Sequence, residues 1–179
     1  MQAMGVKVTQ LPGGEIVPAL ERGVIEAFEF NNPTSDKDFG MQDVSKHYHL
    51  GSFHQSQECF EIIFNKSLYE KLNPEHQAIL EYASEAASAD MAWKAMERYS
   101  QDLVSLKKDH GVNVYRTPDS VMKEQLKAWD IVVKRFTDSD PFFKKVVESQ
   151  MAWAERHGAY ALNNAPDYAG AYRHYFGKL

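Results

Sequence analysis

A single cysteine, Cys59, stands in 179 residues, so no internal disulfide can staple the fold. It lies beside Phe60 in a strand-like run, where a buried, inert thiol is expected, because a reactive one needs a base and an electropositive setting. Scarce cysteine does not separate cytoplasm from periplasm, since a periplasmic protein need not contain disulfides. No stretch approaches the roughly 18 consecutive apolar residues of a membrane span. Met1 to Gln10 has neither a basic start nor an apolar core, so no signal peptide is expected. Positive charge is also short: Lys and Arg number 20 against 25 Asp and Glu, and the net charge is −5. The cations are scattered, which excludes the basic face that nucleic acid requires. Catalytic signatures are missing as well, with no G-x-S-x-G, no phosphate-binding loop and no H-E-x-x-H. Asp36, Asp38 and Asp43 lack the D-x-D-x-D-G spacing of a calcium loop.

What is present reads as a folded, helix-rich α/β chain. Hydrophobic residues make up 44% and aromatics 12%, values of a globular protein. Near its start, Val6 and Val8 lead to Leu11-Pro-Gly-Gly-Glu15, a helix of about nine residues, Gly23 and a second apolar run to Phe30. That order predicts a parallel βαβ unit, with Gly13 and Gly14 freeing the turn and Gly23 ending the helix. A parallel sheet normally has more strands, so further sequence upstream of Met1 is expected.

The character changes near residue 65, from strands and turns to long helices. Ser35 is a candidate cap for a short helix through Val44. Tyr48, Leu50 and Phe53 alternate loosely, and Glu58 to Asn65 reads as a strand rich in β-formers. Asn73 and Pro74 then open a helix with no glycine or proline until Gly111. Its span of roughly 35 residues would be about 52 Å long. Val112 to Tyr115 is a short strand candidate. Further helices are predicted from Asp119 to Phe136, from Asp140 to His157 with Gly158 as the stop, and from Asp167 to Phe176. Trp93, Trp129 and Trp153 fall at helical positions that suit packing. The tyrosines at 160, 168, 172 and 175 read as a last helix folded back on the body.

Two constellations carry possible chemistry. His47, His49 and His54 with Glu58 have a spacing that could hold a metal in a small enzyme, since residues two apart share one face of a strand. The barrel such a site needs does not fit a helical remainder; solvated or partner-facing histidines are the plainer reading, and a ligand-binding role for His54 is the third. Glu29-Phe30 ends an expected parallel strand, and ligands of open α/β sheets gather outside strand carboxyl ends. The plainer alternative there is a solvated Glu29 and a core Phe30.

Leu11-Pro-Gly-Gly-Glu15 followed by Ala19-Leu20-Glu21-Arg22-Gly23-Val24-Ile25-Glu26-Ala27 resembles the dicarboxylate-binding (DctP-like) solute-binding subunits of TRAP (tripartite ATP-independent periplasmic) transporters. The resemblance continues through Gly51 to Gln55, Phe60 to Asn65 and Leu72 to Gln77, and then fades into helices that fit in character only. Val17, Glu26 and Phe30 depart from the aromatic, the Asp and the common Trp of the family pattern. The resemblance implies a non-enzymatic protein of the periplasm that captures a small organic acid and delivers it to membrane permease subunits. It also implies that Glu29 and Gln55 are ligands of a bound cation such as Na⁺ or Ca²⁺, although the family commonly has a carboxylate where Gln55 stands. Phe30, Asn31 and His54 would contact the substrate. The family's substrate-clamping arginine falls upstream of Met1, and Arg22 is not its substitute. Residues 1–30 would then belong to one lobe, 31–72 would cross toward the other, and 73–179 would supply a long brace and C-terminal helices. An N-terminal lobe would lie upstream, and without it the chain is expected to self-associate.

Overall fold

The computed structural model describes residues 1–57 and 59–178. Two compact units are distinguished, Met1–Gln125 and Leu126–Leu179. In the first, α1 (Gly13–Glu21) ends as the sequence indicates. Gly23 takes φ +68°, so that Gly23 N bonds Leu20 O at 3.0 Å and Val24 N bonds Ala19 O at 2.9 Å. This paired closure satisfies the last carbonyls of the helix. The segments flanking α1 are not strands. A strand needs a laddering partner, and neither flank has one among the described residues. Gly13 and Gly14 have no positive φ. A Cβ on Gly13 would lie 2.9 Å from the Phe30 ring, so Gly13 is there for close approach rather than for turn freedom.

The parallel pair lies elsewhere. β1 (His47–Leu50) and β2 (Asn113–Arg116) run parallel, with His49 opposite Tyr115. Between them in sequence come α4 (Lys66–Tyr69) and the long α5 (Pro74–Lys108). α5 spans 35 residues. Asn73 caps it by accepting from His76 N at 2.8 Å, and Pro74 sits at the first helical position. Gly111 at φ +65° then turns the chain into β2. The fold class read from the sequence therefore stands, with its parallel strands relocated.

Before β1 lie α2 (Pro33–Asp38) and α3 (Met41–Val44). The cap is Asn32, not Ser35, because Pro33 fits the first helical position and places Asn32 before it. Asn32 Oδ1 accepts from Thr34 N and Ser35 N, each at 3.1 Å. The core joins Ile16 and Ala19 of α1, Met41 of α3, Leu106 of α5 and Val112. A buried polar tie adds to it: Asp102 of α5 accepts from Thr34 Oγ1 at 2.7 Å, Lys37 Nζ at 2.9 Å and Arg98 Nε at 2.7 Å. Burial alone would raise the Asp102 pKa, but these donors and the Arg98 charge hold it well below the usual carboxylate range. Residues 59–65, expected as a strand, form none, and Glu58 lies outside the described residues. Cys59 is exposed rather than buried.

The division between units falls within α6 (Asp119–Ser139), which runs past the expected Phe136. In the second unit α7 (Pro141–Asn164) passes through Gly158, since a glycine inside a helix lowers stability without forcing a stop. Asp140 caps α7, accepting from Phe142 N and Phe143 N. α8 (Tyr168–Phe176) is capped by Asp167, one residue from the expected start. The three tryptophans and Tyr160, Tyr168, Tyr172 and Tyr175 are all exposed rather than buried in a core. No helix is long and apolar enough to cross a membrane among the described residues.

Candidate functional site

The carboxyl ends of the parallel pair carry the turn that holds His54 and Gln55. Thr117 N bonds Leu50 O at 2.9 Å where the strands end, and residues 51–57 follow directly. Gln125, on α6 just after β2, reaches across to this turn. Its Oε1 accepts from Phe53 N at 2.8 Å and from Ser52 Oγ at 3.1 Å. Ser52 Oγ also bonds His54 Nδ1. Gln55 and His54 are both exposed. No sequence signal singles out Gln125, because its partners lie more than seventy residues away.

The segment leading into α2 carries the other expected residues. Phe30 is half-buried, meeting Phe39 edge-on with ring centroids 4.9 Å apart and touching Gly13 on its other side. Asn31 is exposed and its Oδ1 accepts from Asn32 Nδ2 at 2.6 Å. Glu29 is exposed, and its charge is felt on β1. Tyr48 donates to Asp36 Oδ2 at 2.7 Å. Burial pushes the Tyr48 phenol pKa up first, then the Asp36 bond and charge, and last the Glu29 charge. Behind Tyr48 a cavity of about 20 Å³ is lined by Phe28, Asp36, Gln42, Ser45, His47 and Leu106, among others. It has room for one water and none for an organic acid.

The histidines do not converge. His47 and His49 share the exposed face of β1 and both stack on Tyr115, at 5.8 and 5.1 Å between centroids. His47 Nδ1 also meets the Tyr115 hydroxyl at 3.2 Å. His54 instead bonds Ser52 beyond the strand end. Among the described residues no three metal-ligating side chains gather, and Glu58, the fourth member of that constellation, lies outside them.

A family model described as Bacterial extracellular solute-binding protein, family 7 (DctP) matches residues 1–140. The chain is 26% identical over 168 residues to a monocarboxylate 2-oxoacid-binding periplasmic protein of Nostoc sp., covering 94% of this chain and 46% of that protein. Among solved structures it is similar to a TRAP periplasmic solute-binding protein from Colwellia psychrerythraea with bound calcium and pyruvate. There the TM-score is 0.74 and the identity 29%, over 89% of this chain and 51% of that one. A TRAP transporter solute-binding protein from Bordetella bronchiseptica, with copurified calcium and picolinate, gives a TM-score of 0.64 and 28% identity. That match covers 87% of this chain and 48% of the other. The chain thus spans about half the length of the relatives it matches.

Proposed function

Because the chain belongs to the bacterial extracellular solute-binding proteins of family 7, we propose that it forms part of a periplasmic receptor for a small 2-oxo or similarly chelating carboxylate, handed on to a TRAP permease. In this reading a hard cation bridges protein and ligand. Glu29 offers a carboxylate and Gln55 an amide oxygen, donors that suit Ca²⁺ or Na⁺. Pyruvate and picolinate, bound with calcium in the two similar structures, share one chemistry. Each sets a second donor, a keto oxygen or a ring nitrogen, next to its carboxylate, so each can close a five-membered chelate on a cation. Phe30, Asn31 and His54 would contact the organic part. Residues 24–30 would belong to one lobe and 51–65 would cross toward the other, closing on the ligand by hinge motion.

One observation carries the reading. The turn with His54 and Gln55 lies at the carboxyl ends of the parallel strands, tied down by Gln125, where ligands of α/β sheets collect. Calorimetry of pyruvate, with calcium and with a chelator, tests it. The expected result is calcium-dependent binding that Glu29→Gln weakens. Equal affinity in wild type and mutant under both conditions would sink the cation role.

A further inference from the structure

We infer that Gln125 is a positioning residue for the ligand site, acting on His54 through Ser52; this rests on the proposed role of His54 as a ligand contact. The Phe53 backbone N–H can only donate, so the Gln125 atom facing it at 2.8 Å is the acceptor Oε1. The same oxygen lies 3.1 Å from Ser52 Oγ and can only accept there too. The single hydroxyl proton of Ser52 is therefore committed to Gln125. Ser52 Oγ consequently meets His54 as an acceptor, and it accepts both the His54 backbone N–H at 3.3 Å and the ring Nδ1–H. Neutral His54 is thus held as the Nδ1–H tautomer, with its lone pair on Nε2. Nε2 is the atom that can accept a ligand's proton or approach a cation. Gln125 is only 8% exposed, so its two bonds are shielded from competing water.

The test reads the tautomer and the affinity together in the protein. Nitrogen-resolved NMR of the imidazole rings reports which His54 nitrogen carries the proton. Wild type shows Nδ1–H. Gln125→Met frees the Ser52 proton, so His54 becomes a tautomer mixture and affinity for pyruvate with calcium falls about tenfold, one hydrogen bond's worth. Gln125→Glu keeps an acceptor oxygen and restores both readouts. Asp140→Ala, which removes the cap of α7, leaves both unchanged. An unchanged tautomer in Gln125→Met overturns the inference. So does an unchanged affinity in Gln125→Met when Glu29→Gln has lost binding. Should Glu29→Gln bind as wild type does, the cation reading alone has failed, and the affinity of Gln125→Met still decides the role of His54.

Discussion

The Tyr48 hydroxyl donates to Asp36 Oδ2 at 2.7 Å, joining β1 to α2 across a side chain only 5% exposed. Asp36 lies in the first turn of the helix that follows the Glu29–Asn31 segment, and Tyr48 precedes the turn that carries His54. One hydrogen bond therefore ties together the two stretches expected to face the ligand.

Tyr48→Phe should remove one donor from a buried carboxylate. A loss of about 1–3 kcal/mol follows, read as a lower urea midpoint at unchanged m-value. The pH dependence has a definite sign. The folded pKa is raised above the ordinary 10.0, so the stabilisation is complete below that value and is lost as pH rises beyond it. Wild type should lose stability above about pH 10, and Tyr48→Phe should lose less there. Parallel alkaline curves would show that the phenol does not report folding.

Asp102 has the opposite sign. Its folded pKa lies below the ordinary 3.8, so its contribution is present above that value and disappears as pH falls through the acid range. Asp102→Asn should flatten this acid arm. At neutral pH the loss should be about 2 kcal/mol. It stays modest because the Arg98 side chain is already 60% exposed and can turn to water. Urea midpoints between neutral and acid pH measure it, and an unchanged acid arm would rule the network out as its source.

Local chemistry made much of this fold readable. Asn73-Pro74 announces α5, Gly23 and Gly111 announce helix ends, and Asp140-Pro141 announces α7, because caps act within a few residues. Strand placement was less readable. Phe60 to Phe64 and the flanks of α1 have strand composition, yet a strand exists only where a partner supplies the ladder. His47-Tyr-His-Leu50, a weaker sequence, found that partner in Asn113–Arg116. Glu29 and Phe30 of the proposed site were expected from the motif around them. Tyr48, Asp36 and Gln125 were not, since each acts through a contact set only by the tertiary fold.

The residues with strand composition but no ladder suggest a third measurement. Phe60, Ile62, Ile63 and Phe64 are exposed, Ile63 by 80%, and such surface invites association. Light scattering at micromolar concentration should give a mass above the monomer, and a dye specific for apolar surface should bind. Ile63→Lys should lower both signals. A monodisperse monomer that binds no dye would refute the expectation.

α5 sets the last test, because its two ends are held differently. Toward its carboxyl end Asp102 bonds Thr34 and Lys37, and Leu106 is buried. Toward its amino end the described ties reach only to the neighbouring α4 region, through Tyr69 to Glu81 at 2.5 Å and Gln77 to Tyr69 O at 3.0 Å. Between them residues 85–94 are all exposed. Ala89→Pro would remove one helix hydrogen bond and clash with the preceding turn, costing about 3 kcal/mol. The cut falls where no packing opposes it, so the damage should stay on the amino-terminal side. Amide exchange should quicken over residues 74–88 while residues 98–108 keep their protection. Loss of protection over residues 98–108 as well would show that α5 melts as one cooperative brace, coupled along its whole length.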